Sequence, residues 1–301
     1  MYFCANRHRR DVAMRPDSSE DVVMSAMRLD DALRSGAKVV VLEVGREGED
    51  HSEARHSYLT GHIPGAHYVS FEADLVGSRT GSSGNGPLPH AGGLQERLRT
   101  WGVDDGSTVV VHTRRNPAVA ARAWWVLRWA GVANVRWLNG GLAAWRAIGG
   151  ALDVDVPPPG AGTAVVRPGA LPVLAAEDIG RLATSGHLID ARAPEAYAGD
   201  ARRTGTGHIP GAHSVPGGQN FAGDELLDVE ELSALYAAHL DGREIGVYCG
   251  SGVSATATVL ALAALGVEAA LYPGSWSAWI TDPTRPTTTG SDPGAHPLPA
   301  G

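Results

Sequence analysis

Two cysteines in 301 residues, Cys4 and Cys249, far apart in the chain, exclude a disulfide framework and a Cys-x-x-Cys metal site. Basic charge is also short. The 25 Lys and Arg face 33 Asp and Glu, for a net charge of −8, and the one basic run is Arg7-His8-Arg9-Arg10, so nucleic acid is not an expected partner. No apolar run approaches the ~18 residues that a membrane span needs, and MYFCANRHRR lacks the apolar stretch of a secretory signal. The expectation is a soluble, cytoplasmic protein with reduced thiols and no membrane partner. The histidines show no ligand spacing beyond His51 and His56, so no metal and no other cofactor is expected. What remains is ordinary globular material, 43% hydrophobic and 19% charged, at a length that exceeds one core and points to two domains.

The two domains are copies of each other. GHIPGAH occurs at 61–67 and again at 207–213. Short apolar runs precede both (VVVLEV at 39–44, LIDAR at 188–192), TVVVHT at 108–113 matches EIGVYC at 244–249, and LNGGLAAW at 138–145 matches YPGSWSAW at 272–279. Strands alternating with helix-like segments predict an α/β fold in each copy, a mainly parallel sheet with helices on both faces. The boundaries expected are 22–150 for the first domain, 151–172 for a Pro/Gly-rich linker and 173–285 for the second, with 1–21 and 286–301 as flexible tails.

Chemistry concentrates at Cys249. GREIGVYC reads as a strand ending at the sheet's carboxyl edge, and SATATVLALAALG reads as a helix stopped by Gly266. Between them Gly250, Ser251, Gly252 and Val253 form a tight loop whose amides, with the helix N-terminus at Ser254, point at the sulfur and stabilise a thiolate. In the first copy the matching position is Thr113, followed by RRNPAV, so one copy is active and the other supports it.

With these motifs in place, and with RAWWVLRWAG at 122–131, the chain from about residue 22 to 285 resembles the tandem-domain rhodanese-type sulfurtransferases. The resemblance implies an enzyme in which Cys249 takes sulfane sulfur from a small donor, holds it as a persulfide, and passes it to cyanide or a thiol, a thioredoxin-like one included. Cys-Gly-Ser-Gly-Val is similar to the branch that uses 3-mercaptopyruvate; the thiosulfate branch places cations after the cysteine. The resemblance also implies a proton relay through Ser251, with His62 and Asp50 as acid–base partners, and an arginine for the donor carboxylate. Arg192 is nominated, with Arg202 or Arg203 standing in where Ala196 departs from the family pattern. His208 is expected to be structural.

Two other readings bear on Cys249. A Cys-x5-Arg phosphatase would need an arginine where Ala255 stands. A persulfide relay without small-molecule turnover would keep the cysteine and differ only in needing a protein donor.

Overall fold

The computed structural model describes residues 19–46 and 53–296. The first copy forms strands β1 (Val23–Met24), β2 (Val39–Gly45), β3 (His67–Ser70), β4 (Thr108–His112) and β5 (Val135–Leu138). They lie in the order β1-β5-β4-β2-β3, every neighbouring pair parallel. The second copy forms β6 (His187–Asp190), β7 (Ala212–Ser214), a separate antiparallel hairpin of β8 (Phe221–Ala222) and β9 (Glu225–Leu226), β10 (Ile245–Tyr248) and β11 (Ala270–Leu271). Its parallel sheet runs β11-β10-β6-β7. The central strands are apolar on both faces because helices cover both, as the β-branched runs require.

Side chains alternate along each strand, and this divides the core. Val109 and Val111 of β4 join Ile189 of β6 and Val247 of β10 in one cluster shared by the two copies, whereas Val110 and Leu188 face separate outer clusters. Two helices close the shared core, Pro117–Trp129 from the first copy and Ser254–Ala264 from the second, packed directly on each other. The second is nearly all Ala, Thr, Val and Leu and lacks a polar face, since one side meets its own sheet and the other the Trp124–Trp125 helix. Domain apposition is thereby part of each domain's core.

Register fixes the site. Glu43 pairs with His112, and Asp190 with Tyr248, so Thr113 and Cys249 leave equivalent strands at the same level.

The segments expected to be flexible tails are partly built into the fold. Helix Ser19–Val22 buries Val22, and Thr288 exchanges backbone hydrogen bonds with His208 at 2.8 and 2.9 Å. The linker is laid along the first domain: Asp153 pairs with His62, and the Arg167 amide donates to the Ala130 carbonyl at 2.8 Å. Backbone donors that meet acceptors hold such segments without apolar periodicity. None of the helices among the described residues is long and apolar enough to cross a membrane.

Candidate active site

Cys249 is the first residue past β10, and it is 2% exposed. The Gly252 N–H donates to its Sγ at 3.1 Å, and the Cys249 N–H donates to Ser275 Oγ, also at 3.1 Å. The Cys249 carbonyl accepts from the Trp276 N–H at 2.8 Å and the Gly250 carbonyl from the Ser277 N–H at 2.9 Å, so the short helix Ser275–Trp279 anchors the loop from below. Gly252 is required: its φ is +76°, and a Cβ there would stand 2.5 Å from the Pro273 carbonyl oxygen. Gly250 is different, because a Cβ there would meet nothing within 4 Å. The loop thus has room for a side chain at Gly250 and none at Gly252. Val253 and Ser254 complete the turn into helix Ser254–Ala264, and Ser251 lies half-buried in its middle.

The first domain closes over this loop with a segment that carried no recognisable sequence signal. A Cβ on Gly86 would lie 2.2 Å from the Ser251 carbonyl oxygen, and the Asn85 N–H donates to Ser277 Oγ at 2.9 Å. Arg122, from helix Pro117–Trp129, is fully buried and donates through Nη1 to the Gly252 carbonyl at 3.1 Å and through Nη2 to the Gly86 carbonyl at 3.0 Å. Burial pulls its pKa down to about 10, opposed by attraction to Cys249. Ser275 went equally unnoticed. Its φ of +52° is a left-handed conformation that a non-glycine residue adopts at a cost, and its buried hydroxyl donates to the Tyr272 carbonyl at 2.9 Å while accepting from Cys249. The signal was available: YPGSWSAW places Ser275 where LNGGLAAW has Gly141, whose φ is +53°.

Several sequence-nominated residues lie elsewhere. His62 is fully buried, stacked on Tyr58 at 4.0 Å with its Nδ1 2.9 Å from the Tyr58 carbonyl. His208 repeats this on Tyr197, at 3.7 and 3.0 Å. The two are duplicates of one turn-holding role, and His62 belongs with Glu43, His112 and Asp153 rather than with the Cys249 loop. Asp50 lies outside the described residues. Arg192 is committed to a buried ion pair: its Nε contacts both Asp190 carboxylate oxygens at 3.0 Å, Nη2 donates to Asp190 and to the Gly207 carbonyl, and the guanidinium lies 4.4 Å above the Trp276 ring. Because Asp190 is fully buried, that pairing is structural. Arg202 is 89% exposed and bonded to Asp200, and Arg203 is exposed on the same turn.

The first copy shows how the same edge looks without the thiol. Arg114, next after Thr113, spans Glu43 and the Gly61 carbonyl, the place Arg192 takes between Asp190 and Gly207. The guanidinium is thus supplied from a different strand in each copy. Burial raises the Glu43 pKa, opposed by Arg114, and holds His112 near 3. A cavity of about 330 Å³ opens beside Thr113, bordered by Arg46, Ser57, Arg115 and Asn116. Among the described residues no group of His, Cys, Asp and Glu is arranged to hold a metal.

The arrangement is that of a buried cysteine sulfur at the carboxyl edge of a parallel sheet, accepting from one loop amide, that of Gly252, where the sequence led us to expect several. The Rhodanese-like domain family model matches residues 25–148 and 175–282. The Mycobacterium tuberculosis protein named "Putative thiosulfate sulfurtransferase SseB" is 42% identical over 280 residues, covering 90% of this chain and 98% of that protein. The 3-mercaptopyruvate sulfurtransferase of Escherichia coli is 33% identical over 258 residues, covering 80% of this chain and 88% of that protein. The crystal structure of SseA from Escherichia coli, described as a 3-mercaptopyruvate sulfotransferase with the rhodanese fold, superposes with a TM-score of 0.74 at 29% identity, over 85% of this chain and 98% of that one. With both halves matched and full-length relatives of this kind, the chain belongs to the rhodanese family of sulfurtransferases.

Proposed function

We propose that the chain moves sulfur from 3-mercaptopyruvate through a persulfide on Cys249. The Cys249 thiolate attacks the donor's thiol sulfur, the carbon–sulfur bond breaks, and its electron pair leaves on carbon as the enolate of pyruvate. The proton given up by the transferred SH returns to that carbon, with the Ser251 hydroxyl as relay, so Cys249-S-S⁻ and pyruvate are the products. A thiolate or cyanide then attacks the outer sulfur, the S–S bond breaks, and the Cys249 thiolate is restored. For the donor carboxylate the residue nominated is Arg203, on the turn whose Gly205 borders Ile280 at the end of helix Ser275–Trp279; unlike Arg192 and Arg202, it has no acid bonded to its guanidinium among the described residues. A reducing cytoplasm would supply both thiol acceptors and a reduced Cys249, and a thioredoxin-like dithiol fits the acceptor step.

The observation that carries the donor choice is the uncharged loop, with room for a side chain at Gly250. Gly250 leaves space and adds no cation, while Arg122 spends its Nη1 and Nη2 donors on carbonyls. Thiosulfate would bring two charges close to the sulfur, where Gly250, Ser251 and Gly252 carry none, whereas mercaptopyruvate keeps its single carboxylate several bonds away. The thiosulfate reading has the SseB relative in its favour. Initial rates with the two donors side by side, cyanide as acceptor, decide between them. Mercaptopyruvate should give the higher kcat/KM, and Gly250→Arg should shift the ratio toward thiosulfate. A wild-type preference for thiosulfate rejects this reading of the loop, and protein-dependent turnover alone would make the chain a relay.

A further inference from the structure

Arg122 is a fully buried arginine whose hydrogen bonds go to carbonyls alone. Its Nη1 donates to Gly252 at 3.1 Å; its Nη2 donates to Gly86 at 3.0 Å and Pro87 at 3.3 Å, with Leu75 at 3.5 Å. Its Nε has no partner, and among the described residues no carboxylate pairs with it. A buried guanidinium without an anion is costly, and arginines in such places normally meet one. The Cys249 sulfur lies across the Gly252 peptide from it, and a negative charge on that sulfur would stabilise the protonated guanidinium.

The link is also geometric. One residue, Gly252, accepts from Arg122 through its carbonyl and donates to Cys249 Sγ through its N–H at 3.1 Å. The same guanidinium holds the Gly86 and Pro87 carbonyls, and Gly86 sets its Cα against the Ser251 carbonyl.

We propose that Arg122, contributed by the domain that lacks a cysteine, is the positioning residue and buried counter-charge for the Cys249 thiolate and persulfide. Both resting states of the sulfur are anions, so a fixed cation serves them through the whole cycle without having to move. The proposal gives the first domain a direct part in the chemistry of the second. It rests on Cys249 being the sulfur carrier, and that reading fails separately, if Cys249→Ser still turns over.

The test uses a Cys4→Ser background, in which Cys249 is the only thiol. Iodoacetamide alkylation is followed against pH in wild type and in Arg122→Lys, Arg122→Gln and Arg122→Met, with folding checked by circular dichroism and urea midpoint. Gln and Met should move the alkylation profile to higher pH and slow alkylation at neutral pH about tenfold, as expected when the removal of one nearby positive charge raises the thiol pKa by about one unit. Lys should restore most of the profile while leaving kcat low, because an ammonium supplies the charge but not the fork that ties Gly252 to Gly86. Folded Gln and Met variants with an unmoved profile overturn the proposal, since a purely structural arginine would lower stability alone. A wild-type measurement covers the case in which no variant folds. With ¹⁵N-labelled arginine, the Arg122 side-chain N–H signals should shift as Cys249 titrates and lose that response after alkylation; signals blind to the state of Cys249 overturn the proposal.

Discussion

Replacing Ser275 by alanine and, separately, by glycine separates the two things this residue does. Its hydroxyl is the acceptor of the Cys249 N–H, and its backbone sits at φ +52°. Either substitution leaves that buried amide without a partner, at a cost of about 1–3 kcal/mol. Alanine keeps the left-handed strain of about 1–2 kcal/mol, whereas glycine is relieved of it and gives back ~0.4–1 kcal/mol through its freer unfolded chain. Alanine should therefore be less stable than wild type by about 1–3 kcal/mol, and glycine should be the better of the two by about 0–1.6 kcal/mol, at most roughly 3–6 °C in Tm for domains of this size. That order reverses the usual one for a helix residue. Thermal and urea unfolding of the three proteins measure it, and kcat/KM should fall about tenfold in both variants, because the amide that orients Cys249 has lost its anchor. An alanine variant more stable than the glycine one would refute the strain argument; full activity in both would refute the anchoring one.

Cys249→Ser should abolish turnover with an unchanged urea midpoint, since a hydroxyl fits the loop but forms no persulfide; Cys4→Ser should keep full activity in the same assay. Arg192→Ala should cost about 3–5 kcal/mol of stability, because it leaves the fully buried Asp190 unpaired, and soluble protein of wild-type midpoint would show the ion pair to be dispensable. His239, packed among His187 and His213 beside Asp241 and Arg243, is held at about 4 by burial and by its histidine neighbours. The unfolded chain takes up this proton near 6.5 and the native one only near 4, so stability should fall as pH drops through that window. Urea midpoints against pH should show the slope, and His239→Asn should reduce it, the buried His112 supplying a slope of the same sign.

The sequence by itself determined the duplication, the α/β class of each copy, the nucleophile and the family. These depend on local signals: a repeated heptapeptide, β-branched runs, two glycines after a cysteine. It also held the clue to Ser275, since the two copies differ there by one side chain on a shared backbone conformation. Tertiary structure decided which polar groups meet. Arg192 and Arg114 occupy one structural role from different strands, so no alignment of the copies pairs them, and only the fold reveals that Arg192 is spent on Asp190. His62 read as a catalytic candidate because a turn histidine and an active histidine look alike in sequence; stacking on Tyr58 assigns it to the turn. Arg122 was hidden in a helix of aromatic and aliphatic residues whose pattern says only "buried". Its partners are backbone carbonyls from three other segments, and carbonyls are present at every residue, so no composition, spacing or motif marks where a buried arginine will find them.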